Sequence, residues 1–416
     1  MIKSYKRETC RLCNSRNIEL QLSLTPTPPA DSYLSKDNIN IDLDEIPLDL
    51  YLCNDCGNTQ LGHVIDAFEV YNNYIYETAS TLGLGPHFKE CADTIIKKFN
   101  PKKNELVLDI GSNDGILLKY FKDHGMKILG IDPMPGIADK ASKNGIPTIS
   151  IFFNEKESVK LKNQYGSAAV ITSNNLVADT DDLKDFVIGV KNLMNKDSIF
   201  FFETFYFFLQ VNNLVWDFTY HEHYSYFTIK PLKTFFENLG MEIIDVEDNN
   251  TKGGSMRVTL QLLGGNHKVD KSVDEHIKLE ENQKFQTPEI FKMYNERINK
   301  SKNQYNNLIN LIIKENPNVK IAGYGASATS TTLIYHFNMG DYLSYLVDDF
   351  DAKHNLYSPG LKIPCYPSAK IYEDKPDYVI ILAWRYAEKI IENNQKFLEE
   401  GGKFILPLTE ARIIEK

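Results

Sequence analysis

No stretch of the 416-residue chain comes near the ~20 consecutive apolar residues that a membrane-spanning helix needs. The opening Met1-Ile-Lys-Ser-Tyr-Lys-Arg-Glu8 also lacks the apolar segment of a secretory signal. The expectation is therefore a cytoplasmic protein with no membrane partner. Positive charge is in short supply as well, since 46 Lys and Arg against 56 Asp and Glu leave a net charge of -10. Surfaces that grip nucleic acid neutralise phosphates with basic patches, so this balance argues against such a partner and for a small, separately bound substrate. Internal repeats and low-complexity tracts are missing too. Cysteine is scarce, but four of the six residues fall into two pairs, Cys10 with Cys13 and Cys53 with Cys56. In a reducing compartment that pairing reads as metal binding before disulfide.

What the chain does have is length for about three domains at roughly 100–200 residues each. The divisions expected are 1–70, 71–268 and 269–416. In the first, Cys10-Arg-Leu-Cys13 and Cys53-Asn-Asp-Cys56-Gly57 form two knuckles whose thiolates converge on one zinc ion. Four thiolates leave no open coordination position, so the zinc is structural rather than catalytic. Between the knuckles, Thr25-Pro-Thr-Pro-Pro29 reads as a rigid extended connector. Tyr71, Tyr74 and Tyr76 follow the second pair with the spacing of ordinary core aromatics. Tyr76, beside Glu77-Thr-Ala-Ser80, is kept as a contact for the reacting substrate.

The clearest α/β pattern begins after a lead-in helix expected over 85–99. A buried strand ending in Asp109 runs into Gly111-Ser-Asn113-Asp-Gly115, which opens a helix over 116–124, and the next strand ends in Asp132. Gly111 and Gly115 let the backbone approach a nucleoside at Asn113, and Asp132 is placed to accept ribose hydroxyls. The spacing Asp-x-Gly-x-x-x-Gly favours S-adenosylmethionine over a dinucleotide. A further strand ends in Asn174-Asn175 and another in Glu203, both at carboxyl ends where open α/β sheets bind ligands. Between them, Leu183, Phe186, Val187, Val190 and Met194 mark one face of a helix over 181–194. A helix over 231–239 and strands over 241–246 and 256–263 complete the order of a class I methyltransferase core. After polar helical sequence over 272–315, Gly323-Tyr-Gly325-Ala-Ser327 starts a second Rossmann-like α/β unit. Its loop aims backbone N–H groups from a helix N-terminus, a ready site for phosphate.

Between the two glycine loops lies Tyr220-His221-Glu222-His223-Tyr224-Ser-Tyr226-Phe227, in which almost every side chain can carry or share a proton. Such a segment is a candidate reaction centre. On a strand, His221 and His223 would share a face, yet two imidazoles make an incomplete metal site and match no zinc helix. Structural roles suit His221, Tyr224 and Tyr226, with His223 facing the site.

With these elements in place, the whole chain resembles the sugar C-methyltransferases that act on nucleotide-linked 4-keto-6-deoxysugars. The resemblance rests on the paired Cys-x-x-Cys knuckles, Asp109-Ile-Gly-Ser-Asn-Asp-Gly115, the 220–227 segment, Gly253-Gly-Ser-Met-Arg257-Val258 and Gly323-Tyr-Gly-Ala-Ser327. It implies a zinc-bearing N-terminal domain, a central S-adenosylmethionine domain holding the donor at Asp109, Gly111, Asn113, Gly115, Asp132, Asn174 and Asn175, and a C-terminal Rossmann-like domain. The nucleotide sugar would meet Gly323, Gly325, Ser327 and Arg257. His223 would take the proton next to the ketone, with Tyr220, Glu222, Tyr76 and Asp179 around it. Two positions depart from the family pattern: Asp179 stands where a histidine is usual, and Thr329 where a lysine is frequent. A monomer is the expected state. The competing readings are an O- or N-methyltransferase, an RNA methyltransferase, which the acidic charge opposes, and a dinucleotide oxidoreductase placing Asp348 or Asp349 on a ribose.

Overall fold

The computed structural model describes residues 3–66 and 84–416. Tyr71, Tyr74 and Tyr76 lie outside the described residues. At the N-terminus, strand β1 (Ser4–Lys6) pairs with β5 (His63–Ile65). Strands β2 (Ile18–Thr27), β3 (Ile46–Cys53) and β4 (Thr59–Leu61) form an antiparallel sheet, whose open edge takes β11 (Ser225–Tyr226) from the middle of the chain. The connector expected at residues 25–29 is in part strand. Thr27 still pairs with Ile46, and a register irregularity between Leu24 and Thr27 absorbs Pro26, which has no N–H to give the ladder.

The central sheet has seven strands in the order β12-β13-β10-β9-β6-β7-β8. These are β6 (Leu106–Ile110), β7 (Lys127–Ile131), β8 (Thr148–Ile149), β9 (Val170–Asn174), β10 (Ile199–Phe205), β12 (Met241–Asn249) and β13 (Ser255–Leu262). Strands β6 to β10 run parallel, while β13 is antiparallel to both neighbours. The chain leaves β6 toward β7 on one side and returns to β9 on the other, so the sheet switches direction beside β6. Ligands of open α/β sheets bind at that point, above the carboxyl ends of the strands. Strand β10, Ile-Phe-Phe-Phe-Glu-Thr-Phe, is buried along its whole length, as a strand covered on both faces requires. The helix Leu183–Leu193 covers one face with Leu183, Phe186, Val187, Val190 and Leu193, and starts where the Asp182 side chain accepts from the N–H of Asp185 at 3.1 Å.

A second sheet, in the order β16-β15-β14-β17-β18-β19, is built from β14 (Ile321–Tyr324), β15 (Leu343–Asp348), β16 (Cys365–Pro367), β17 (Tyr378–Ile381), β18 (Lys403–Leu406) and β19 (Arg412–Ile414). The helix Pro288–Glu315 leads into it, with proline in the first turn and a buried stripe at Tyr294, Ile298, Ser301, Tyr305, Ile309 and Ile312. One apolar core runs through all three sheets, from Leu48 through Phe202, Phe227 and Phe291 to Leu333. Among the described residues no helix is long and apolar enough to cross a membrane.

Glu280 pins the segment that follows the reaction centre. It is fully buried, and it accepts from the Tyr206 hydroxyl at 2.6 Å and from the N–H groups of Ile229 at 2.5 Å and Lys230 at 3.1 Å. The latter two open the helix Ile229–Asn238, whose first N–H groups have no partner within the helix. Glu280→Ala is expected to lower the unfolding free energy by about 2–4 kcal/mol, because it strands three buried donors. Denaturant unfolding measures this, and an unchanged midpoint would show that the acid is dispensable.

Candidate active site

Gly111 leaves β6 with φ 77°, and its N–H donates to Ile131 O at 2.8 Å, so the loop folds back over the end of β7. Asp132, just beyond β7, fastens it: Oδ2 accepts from Asn113 N–H at 3.0 Å and Oδ1 from Met134 N–H at 2.9 Å. Asp109 lies beneath, fully enclosed, and accepts from Thr172 Oγ1 at 2.7 Å. Burial pushes its pKa up to about 7. At the adjacent strand end, Asn175 takes a left-handed conformation, φ 54°, and its N–H donates to Glu203 O at 2.7 Å.

A cavity of about 930 Å³ opens over these strand ends and reaches the second sheet. Asp109, Gly111, Asn113, Asp132, Asn174, Asn175, Asp179, Tyr220, Glu222, His223, Gly325 and Ser327 all line it. The two glycine loops therefore share one chamber, with the 220–227 segment between them. S-adenosylmethionine fits the β6 end: Asn174 Oδ1 and Ser112 Oγ are buried there without hydrogen-bond partners, and a Cβ on Gly111 would press to 3.0 Å from Leu176.

Three expected contacts lie off the chamber. Gly115, with φ 78°, starts the helix Ile116–Asp123, and a Cβ there would stand 2.6 Å from Ile146. Gly323 sits inside β14, where a Cβ would meet Leu382 at 2.7 Å and Leu346 at 2.8 Å, so its absence of a side chain serves packing. Arg257 is held on β13 by Glu203 at 2.9 Å and Glu90 at 2.7 Å. Burial raises the Glu203 pKa, but His87 and Arg257 overcome it and the net shift is downward, so Glu203 stays ionised and Arg257 is committed to it.

The 220–224 segment is a turn, closed by His223 N–H to Tyr220 O at 3.0 Å, and not a strand. Its two histidines therefore face different surroundings instead of sharing a face. His221 is fully buried with Nε2 3.1 Å from Ile46 O, and Tyr224 donates to Ile65 O at 2.8 Å. Both bind the turn to the N-terminal sheet. His223 is packed against Phe205, Phe218 and Tyr220, with ring centroids 4.5, 5.2 and 3.9 Å away. Its Nδ1 is 2.8 Å from Phe218 O, and a carbonyl can only accept, so Nδ1 carries the proton and Nε2 keeps a free lone pair. Asp179 Oδ1 stands 4.0 Å from Nε2.

Burial lowers the His223 pKa to about 3, so the imidazole is neutral across the physiological range. Burial raises the Asp179 pKa well above its ordinary value, with Lys252 opposing and Glu222 reinforcing the rise, and pushes the Glu222 pKa up to about 7. An imidazolium in this pocket is stable only beside a negative charge; burial disfavours the carboxylate form of Asp179 at rest, and loss of its proton as His223 gains one would supply that charge 4.0 Å from Nε2.

Three cationic residues at the chamber, Lys252, Lys353 and Arg385, escaped the sequence reading, and Lys353 is paired with Asp31 at 2.6 Å. Arg385 follows β17, and its guanidinium donates to Asp217 at 2.8 Å and to Thr329 Oγ1 at 3.1 Å. Positive charge thus returns, from a different strand end, to the position where the family pattern often has lysine. Lys252 precedes Gly253-Gly254 and lines the chamber. For Arg385 and Lys252 the signal available was positional, as both stand at turns that follow strands.

Among the described residues the one cluster of thiol, imidazole or carboxylate groups fit to hold a metal is Cys10, Cys13, Cys53 and Cys56, whose sulfurs all lie within 4.8 Å of one another. Cys10 is 3.5 Å from Cys56 and Cys13 is 3.6 Å from Cys53, close to the ~3.8 Å edge of a tetrahedron of thiolates around zinc. The donor set fits structural zinc. Arg11, within the first knuckle, donates to Leu61 O at 2.8 Å and Tyr224 O at 3.1 Å and pairs with Asp181 at 2.9 Å.

The fold and the donor loop together define an S-adenosylmethionine-dependent methyltransferase of class I. Family models match in three consecutive pieces: a zinc binding domain over 10–71, a methyltransferase domain over 87–246 and a C-methyltransferase C-terminal domain over 250–409. The C-methyltransferase NovU of Streptomyces niveus is 28% identical over 408 residues, covering 98% of this chain and 97% of that protein. The chain is thus similar to C-methyltransferases along nearly its whole length. Among solved structures, the PH0226 protein of Pyrococcus horikoshii aligns with 47% of this chain and 98% of its own at 11% identity and TM-score 0.36. Magnesium protoporphyrin IX methyltransferase of Synechocystis aligns with 44% of this chain and 84% of its own at 11% identity and TM-score 0.34. Likenesses this slight add nothing to the assignment.

Cys53→Ser is expected to release the zinc and loosen the 220–227 turn, so that methyl transfer falls while S-adenosylhomocysteine still binds. Metal content and calorimetry check this; zinc retained in the variant would contradict the four-thiolate site.

Proposed function

We propose that the enzyme methylates the carbon next to the ketone of a nucleotide-linked 4-keto-6-deoxysugar, and that His223 removes the proton from that carbon. The observation that carries this reading is the neutral His223, its free Nε2 turned to a chamber that joins the donor loop to the second glycine loop. S-adenosylmethionine supplies the electrophilic methyl group when bound. His223 Nε2 accepts the proton, and the electron pair left on carbon is shared with the ketone oxygen until the new carbon–carbon bond forms. Asp179 supports the imidazolium. Tyr220 packs tilted against the His223 ring and helps to hold it, and Glu222 lines the same chamber. Tyr76 remains assigned to the substrate.

At the second loop, Gly325 has φ 116° and a Cβ there would stand 2.8 Å from the backbone nitrogen of Ala383. Ser327 caps the helix Ala328–His336, whose N-terminus faces the chamber beside Thr329. Arg385 adds charge next to it, which suits the phosphates of a nucleotide sugar. The acidic balance and the enclosed chamber favour this small substrate over RNA.

Incubation with dTDP-, CDP- and GDP-linked 4-keto-6-deoxysugars is expected to give one member a mass gain of one methyl. With that sugar, His223→Asn should cut methyl transfer about 10²- to 10⁴-fold and abolish washout of the α-proton into solvent, with S-adenosylhomocysteine affinity unchanged. Undiminished washout would move the base to another residue. Tight NAD binding without a response to S-adenosylhomocysteine would instead support the oxidoreductase reading.

A further inference from the structure

We propose that Lys252 is a catalytic residue, its ammonium group stabilising the oxyanion that forms on the substrate as His223 removes the proton. The inference rests on the reading of the site as a proton-abstracting centre. It starts from the backbone. Lys252 has φ 54° and ψ 24°, a left-handed conformation that is uncommon for a long side chain. Here every carbonyl of the turn is held. Thr251 O accepts from Gly254 N–H at 2.9 Å and Ser255 Oγ at 3.0 Å, Lys252 O from Gln210 Nε2 at 3.3 Å, and Gly253 O from Asn213 Nδ2 at 2.9 Å. Gly254 O accepts from Gln210 Nε2 at 3.0 Å and Tyr206 N–H at 3.1 Å. Gly253 lets the turn seat against Val215 and Arg385, where a Cβ would come within 2.8 and 3.0 Å. A turn fixed this thoroughly presents one side chain, Lys252, to the chamber.

The charges around it point the same way. Arg385 is paired with the buried Asp217 at 2.8 Å, and Lys353 with Asp31 at 2.6 Å. Lys252 makes no ion pair within 4.0 Å among the described residues, so its charge is not committed to another side chain. Burial lowers its pKa, while Asp179 and Glu203 oppose that and Arg385 adds to it. It is half-buried at the chamber wall and close enough to Asp179 for each to affect the other's ionisation. That proximity matters because an acid at position 179 would repel an enolate. A cation facing both offsets the repulsion, leaving Asp179 to support the imidazolium and Lys252 the oxyanion.

The test uses the full-length zinc-loaded enzyme and the keto sugar that the unaltered enzyme methylates. Lys252→Met is expected to lower kcat and α-proton washout together by about 10²- to 10³-fold, the range for loss of one oxyanion donor, with KM little changed. S-adenosylhomocysteine affinity should match that of the unaltered enzyme, which shows that the variant is folded. Lys252→Arg, which keeps the charge, should recover part of the loss. Washout and transfer at the unaltered rate in Lys252→Met would overturn the proposal, as would a loss confined to KM, which would make Lys252 a binding residue. If no sugar of the panel is methylated by the unaltered enzyme, the reading of the site falls first and the role of Lys252 with it.

Discussion

The reaction centre depends on one buried cation, Arg11. It sits between the two cysteines of the first zinc knuckle, and its side chain is wholly shielded from solvent. From there it reaches Tyr224 O, next to His223, and the carboxylate of Asp181, two residues past Asp179. Arg7 adds a second contact to Asp181 at 3.0 Å. The zinc module therefore fixes both halves of the His223–Asp179 pair at once. A buried guanidinium without these partners would cost several kcal/mol, so the contacts hold together or fail together. This gives the metal a function although it lies outside the chamber: it rigidifies the knuckle that carries Arg11. The pairing of β11 with β4 does the same for the backbone just after His223.

Dryness is the second constraint. Burial raises the pKa values of Asp109, Asp132, Asp179 and Glu222 and lowers that of His223, so the chamber carries less charge than its composition suggests. In such a medium each remaining charge acts strongly and at longer range than in water. In the proposed reaction the buried imidazole of His223 would gain little from solvent on taking a proton, so a placed counter-charge would favour the transfer. Glu203 is the contrast. With Arg257 and His87 against it, its pKa ends below the ordinary value, and that network holds β10 to β13 rather than entering the chamber.

Much of the architecture was legible because local patterns agreed with one another. The loop from Asp109 to Gly115, the helix after it and Asp132 stand in register in the sequence and in space. The four cysteines converge as their spacing required. Continuous apolar runs such as 199–202 marked strands covered on both faces. What stayed hidden was set by tertiary neighbours. Nothing local in Tyr-His-Glu-His distinguishes a strand from a turn, and the turn is imposed by contacts to Ile46, Ile65 and Arg11 from the far end of the chain. Gly323 resembles a phosphate-loop glycine, but it is a packing glycine pressed by Leu346 and Leu382. Arg257 looked available because its partners, Glu203 and Glu90, are 54 and 167 residues away along the chain. Lys252 and Arg385 lack a motif of their own, and only the folded chain brings them to the same chamber.

The central claim is that a proton is taken from carbon and replaced by methyl at that same atom. Its most direct test is the NMR spectrum of the product made from the accepted keto sugar and S-adenosylmethionine labelled with ¹³C in the methyl group. The account predicts a labelled methyl with carbon–carbon coupling to the ring carbon beside the ketone. A labelled methyl on oxygen or nitrogen would contradict it.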